Sequence, residues 1–211
     1  MLWCNETEIE GNDQVDDAVG RKKNAKGVVL MLLGVLLVIA AAALVFYNRR
    51  QDEQAGEEVA LILTQLEEAT SETQLESPDT TMPVISIDGR DYIGTLRAEG
   101  VGIDLPIIAM YEEEDCWTAP CRYSGSAYND TMVICGHNMY AHFAPLLQMQ
   151  AGDEVTFTDV NGNVFRYEVA QIYNLKPVAV QEMITGDWDL TLFTCTYSGA
   201  ERVTVRCLRV D

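Results

Sequence analysis

Gly27–Tyr47 (GVVLMLLGVLLVIAAAALVFY) runs for 21 residues without a charged side chain. At ~1.5 Å per helical residue it spans about 31 Å, the thickness of a bilayer's hydrocarbon core. It predicts one transmembrane helix near the N-terminus. Arg21, Lys22, Lys23 and Lys26 precede the run, whereas Arg49 and Arg50 follow it and give way to an acidic stretch. The cationic excess before the run predicts a cytoplasmic N-terminus and an exported C-terminal portion. Ala41-Ala42-Ala43 offers a rival reading as a signal-peptide cleavage site. An uncleaved anchor is favoured because the apolar run continues through Leu44-Val45-Phe46-Tyr47.

The net charge of −19 is unevenly divided. Residues 1–20 carry six acids and no Lys or Arg, and residues 51–82 carry nine acids and none. Residues 83–211 hold 18 acids against eight bases, a net of −10 that disfavours nucleic acid and anionic polymers as partners. Residues 1–26 lack hydrophobic periodicity and read as a disordered cytoplasmic tail. Residues 48–83 read as an acidic stalk and linker. Within them Val59, Ile62, Leu63 and Leu66 fall at helical spacing, which predicts an amphipathic helix serving as a solvated spacer.

From residue 84 to 211 the periodicity is that of strands. Tyr92–Leu96 and Val101–Ile108 open the domain. Glu154–Val160 and Val164–Tyr173 alternate around Asn161-Gly162 and predict a hairpin with a two-residue turn. Trp188–Cys195 and Arg202–Val210 predict a second pair, with a helical turn over Ala179–Ile184. The expected architecture is an all-β barrel with short helices. No phosphate loop or dinucleotide fingerprint occurs, and no cofactor is expected.

The chemistry-bearing residues sit at strand ends. Thr191-Leu192-Phe193-Thr194-Cys195 ends on a thiol, and Arg202 opens the return strand seven residues later. Antiparallel neighbours lie about 4.7 to 5 Å apart, so Cys195 and Arg202 are expected side by side. A guanidinium there can stabilise an oxyanion in acyl transfer. Alternation sets Arg202, Thr204 and Arg206 on one face, with Arg206 read as an edge arginine in solvent. Thr131-Met132-Val133-Ile134-Cys135-Gly136-His137 ends a further strand on an imidazole, which can assist a thiol and protonate a departing amine. Gly136 is expected to let the backbone turn and expose that ring.

The other cysteines read differently. Cys4 would be cytoplasmic, Cys135 and Cys207 read as small buried hydrophobes, and Cys116 with Cys121 are candidates for a local bridge. Cys135, His137 and His142 lack the spacing of a structural zinc site, and Glu112–Asp115 lacks the ligand pattern of a calcium loop. No metal is expected.

At these residues the chain resembles the sortase family, the membrane-anchored cysteine transpeptidases of Gram-positive bacteria. The TLFTC run is similar to the family's TLxTC motif, CGHN supplies the histidine, and Arg-Val-Thr-Val matches the arginine strand. Tyr92–Leu96 with Leu105-Pro106-Ile107 is similar to the family's first strands. The resemblance implies a closed eight-stranded sortase-type β-barrel with Cys195, His137 and Arg202 as catalytic residues and Thr194 touching substrate or oxyanion. It implies cleavage of an LPxTG-like C-terminal sorting signal in secreted proteins through a thioacyl enzyme. The acyl group would pass to an amine of a peptidoglycan precursor or a pilin lysine. The GHNM segment with Phe143 and Leu146 is similar to class B, but residues 173–188 are short for that class's inserted helix, so class D or an unassigned branch fits equally. A plain thiol peptidase and a non-catalytic extracellular binding module are the alternatives.

Overall fold

The computed structural model describes residues 13–72 and 81–210. They fall into two compact units that divide between Arg50 and Gln51. In the first, helix α1 (Asp13–Glu72) begins at Asp13, so half of the segment expected to be a disordered tail is helical. Once an apolar run nucleates a helix, each added residue costs little. The rest of that expected tail lies outside the described residues. From Ala25 to Arg50 every residue is exposed, the large aliphatics included. An apolar helix with no protein against it fits a membrane anchor, and it meets the length and composition for a span.

The second unit starts inside α1. Val59 joins the main hydrophobic core, while Ile62 and Leu66 join a second cluster with Tyr92, Ile108 and Val160. The amphipathic face predicted for this stretch is therefore real, but the helix is packed on the barrel and is not a solvated spacer. Burying one large aliphatic side chain is worth ~1.5–3 kcal/mol, enough to hold a helix whose outer face is glutamate-rich.

Among the described residues nine strands follow: β1 (Ile85–Ile87), β2 (Arg90–Ala98), β3 (Ile103–Ile108), β4 (Cys121–Ser124), β5 (Met132–Cys135), β6 (Glu154–Asp159), β7 (Val164–Leu175), β8 (Leu190–Cys195) and β9 (Arg202–Arg209). Their order is β1-β2-β3-β4-β5-β8-β9-β7-β6, and β2 also pairs with β6. That pairing closes β2 to β9 into an eight-stranded barrel, with β1 laid along β2 outside the ring. Gly94 permits the closure. Its φ is 150° and an added Cβ would meet the Thr158 carbonyl oxygen at 2.0 Å, so only glycine lets β2 approach β6 there.

Inward positions alternate as the sequence pattern predicts, with Ile93, Leu96, Ile134, Phe157, Tyr167, Leu192 and Val205 all fully buried. The hairpin over Asn161-Gly162 differs in its turn. The last paired residues are Thr158 and Val164, and the connection is stitched by the Asp159 carboxylate. That carboxylate accepts from the Asn161 and Asn163 backbone N–H groups at 2.9 Å each and from Tyr128 Oη at 2.6 Å. Buried carboxylate bonds of this kind favour a wider loop than a bare two-residue turn. The predicted helical turn is present as α2 (Val180–Ile184) between β7 and β8.

Candidate active site

Two strand registers assemble the site. β8 and β9 are antiparallel, with Cys195 directly opposite Arg202. β5 and β8 are parallel, from Met132 against Leu190 to Cys135 against Phe193. Parallel pairing brings both C-terminal ends to one mouth of the barrel. The ladder continues past its last paired residues: Gly136 N–H donates to Phe193 O at 3.2 Å, and Thr194 Oγ1 donates to Gly136 O at 2.8 Å. Gly136 thus lies beside the Phe193–Thr194 end of β8, and His137 follows it past the last paired residue of β5.

Cys195 is half-buried at its strand end and carries a free thiol. His137 is also half-buried. Its ring stacks on Trp117 with centroids 3.9 Å apart and planes 25° from parallel, and its Nε2 is buried without a hydrogen-bond partner. Burial pushes the imidazole pKa below its usual value, with Cys116 and Glu113 opposing that shift. The ring therefore favours its neutral form, the state that can accept a proton.

Gly136 has a different role from the one read in the sequence. Its backbone is not in the left-handed region, but an added Cβ would meet the Phe143 ring at 2.9 Å and Pro120 Cγ at 3.2 Å. Close packing beneath the histidine requires the glycine, and turning does not. Phe143 N–H donates to His137 O at 3.1 Å, which closes the loop over that contact. The loop is also held from α1, where Asp52 Oδ1 accepts from Tyr140 N–H at 3.1 Å. His142 lies buried in it, and neither ring nitrogen has a partner that meets hydrogen-bond geometry. Burial lowers its pKa to about 4, with His137 adding to the shift and the Thr118 backbone opposing it.

Arg202 donates from Nη1 to its own turn, to Gly199 O at 3.2 Å and Glu201 O at 3.3 Å. It also lines a cavity of about 220 Å³ with Tyr111, Tyr123, Cys135, Met183 and Phe193, while Cys195 and His137 do not line that cavity. A second hollow of about 440 Å³, lined by Leu66, Gly94 and Gly162 among others, touches none of the candidate residues. Thr194, predicted to touch substrate, is 1 % exposed and its hydroxyl is engaged with Gly136. It tethers β8 to the His137 loop from below.

Arg206 corrects the sequence reading. It shares the outer face of β9 with Arg202 but is 2 % exposed. Its guanidinium donates to Tyr173 Oη at 2.9 Å, Met183 O at 2.9 Å, Thr191 Oγ1 at 2.7 Å and Glu182 O at 2.5 Å. Two of these acceptors are carbonyls at the C-terminal end of α2, where a cation is favoured. The arginine thus fastens α2 over the sheet, and α2 in turn walls the 220 Å³ cavity through Val180 and Met183.

Trp117, stacked on the candidate histidine, is not marked by any motif in the sequence. Its one signal is its place between Cys116 and Cys121, the candidates for a local bridge. Both are free thiols, and Cys116 Sγ instead lies 3.7 Å from Cys135 Sγ. In the adjoining acidic run Asp115 pairs with Arg90 at 2.8 Å. Among the described residues no three His, Cys, Asp or Glu side chains are arranged to hold a metal ion.

A protein-family profile described as Sortase domain matches residues 96–210. Among solved structures, sortase C1 of Streptococcus agalactiae is 27 % identical with a TM-score of 0.52, over 60 % of this chain and 71 % of that one. A Clostridium perfringens sortase D5 transpeptidase is 20 % identical with a TM-score of 0.54, over 74 % of this chain and 97 % of that one. Sortase A of Corynebacterium diphtheriae is 20 % identical with a TM-score of 0.53, over 78 % and 92 % respectively. These last two likenesses concern the fold. No curated protein sequence matches the chain.

Proposed function

The chain belongs to the sortase family, and on that footing we propose that it is a transpeptidase in which Cys195 is the nucleophile, His137 the proton carrier and Arg202 the oxyanion partner. The β8–β9 register that sets Cys195 opposite Arg202, with the parallel β5–β8 pairing that brings the strand leading to His137 to the same end of the barrel, carries this reading. Neutral His137 takes the Cys195 proton as the sulfur attacks a peptide carbonyl carbon. Arg202 leaves its turn carbonyls to donate to the developing oxyanion. The tetrahedral adduct collapses, the C–N bond breaks, and the imidazolium gives its proton to the departing amine. A thioester on Cys195 remains. An incoming amine then attacks it, His137 takes a proton from that amine, and the sulfur leaves and regains the proton. Thr194, buried with its hydroxyl on Gly136 O, is assigned to holding the histidine loop in register.

The substrate is a secreted protein bearing an LPxTG-like C-terminal sorting signal, and the acceptor is a peptidoglycan-precursor amine or a pilin lysine. The cationic residues before Gly27 support a single-pass orientation with the N-terminus cytoplasmic and the barrel extracellular. The test is to incubate the full chain in detergent with a sorting-signal peptide and a saturating amine. The amide of peptide and amine is the product this reading requires. Acid product alone would defeat transfer in favour of hydrolysis.

A further inference from the structure

Three thiols meet beneath His137, and the proposed transfer reaction uses none of them. Cys116, Cys121 and Cys135 are all buried and unbonded. Cys121 and Cys135 are cross-strand partners on β4 and β5, and Cys135 Sγ faces the Cys121 carbonyl oxygen at 3.5 Å. Cys116 comes from the turn before β4, and its sulfur lies 3.7 Å from that of Cys135. Cys121 Sγ turns instead toward Ala119 O at 3.5 Å. Cys135 also lines the 220 Å³ cavity beside Arg202.

We propose that Cys116 and Cys135 are an oxidisable pair that a small hydroperoxide, entering by this cavity, converts to a disulfide. The sulfur of Cys135 attacks the nearer peroxide oxygen, the O–O bond breaks, and the thiol proton leaves with the departing hydroxide as water. The Cys116 sulfur then attacks the sulfur of the resulting sulfenic acid, the S–S bond forms as the S–O bond breaks, and the departing hydroxide takes the Cys116 proton as a second water. Two thiols and one hydrogen peroxide thus give one disulfide and two waters. The Cys116 thiol is suited to the second step: its closeness to the Cys121 and Cys135 thiols pushes its pKa down. The sulfurs must close from 3.7 Å to ~2.05 Å, a small movement for a sulfur carried on a turn. Because Trp117 follows Cys116 and Cys135 precedes the His137 loop, the bond would tie the two sides of the Trp117–His137 stack together.

The test uses the full chain carrying Cys4→Ser and Cys195→Ala, so that neither the tail thiol nor the candidate nucleophile consumes oxidant. Hydrogen peroxide is expected to lower the intact mass by ~2 Da, the two hydrogens lost in one S–S bond, and dithiothreitol to restore it. Trypsin cuts after Arg122, which separates Cys135 from the other two, so non-reducing digestion should join residues 98–122 to residues 123–166. The mass loss should persist with an added Cys121→Ser and vanish with Cys116→Ser. A bond confined to residues 98–122, a gain of oxygen without a bond, or unreacted thiols at peroxide concentrations that oxidise free cysteine would each overturn the proposal. No catalytic readout enters, so failure of the transpeptidase reading leaves this test intact.

Discussion

Arg202 and Arg206 stand on the same face of β9, one opposite Cys195 and the other opposite Thr191. Their surroundings are opposite. Arg202 is half-buried and donates only to carbonyls of its own turn, a weak hold that a substrate oxyanion can replace. Arg206 is sealed under α2 and Tyr173 with four hydrogen bonds. The same residue type at the same phase of a strand is therefore left available for the proposed oxyanion role where the sheet ends in solvent and fixed as architecture where a helix covers it.

That contrast breaks if the two arginines respond alike to substitution. Arg202→Ala is expected to reduce kcat for peptide transfer by ~10²–10³, with the thermal midpoint nearly unchanged, as read by steady-state kinetics beside differential scanning calorimetry. Arg206→Met is expected to cost about 3 kcal/mol of stability, because buried carbonyls and a hydroxyl lose a charged donor. Denaturant titration measures it, and chemistry in the folded fraction should survive. A stability loss at Arg202, or an unaltered midpoint at Arg206, would reverse the assignment.

The histidine loop sharpens the same distinction through pH. His142 has a folded pKa near 4, below the ordinary value of 6.5. The unfolded chain therefore binds its proton first as pH falls, and stability drops between about pH 6.5 and 4 and levels off below that. The sum is about 3 kcal/mol at most. His142→Phe should flatten that part of the midpoint-against-pH curve. His137, whose pKa is also lowered by burial, should set the acid limb of kcat/KM below the ordinary imidazole value. A limb at or above that value would contradict a neutral resting ring. The smallest effect belongs to Thr194→Val. Loss of the bond to Gly136 should cost about 1 kcal/mol and slow transfer by shifting the His137 loop, without changing peptide affinity.

Strand periodicity made the barrel legible because each strand buries one face, and Phe157, Tyr167 and Val205 alternate as read. Cys195 beside Arg202 was legible too, since a hairpin register follows from the turn between its strands. The fate of Arg206 was not, because alternation reports which face a residue takes and not what covers that face. The same gap explains the helix from Gln51 to Glu72, whose apolar stripe was visible while the barrel surface it packs on was not. Trp117 over His137, and Cys116 against Cys135, join turns to strands far apart in the chain, and no local pattern encodes such contacts.

In the proposed mechanism an acyl group rests on Cys195 between the two halves of the reaction. Rapid quenching of the full chain with a sorting-signal peptide in the absence of amine, followed by peptide mapping, tests it directly. A thioester confined to the peptide that carries Cys195, cleaved by added amine and absent from Cys195→Ala, is the expected result. An adduct on another residue, or transfer that proceeds undiminished in Cys195→Ala, would contradict it.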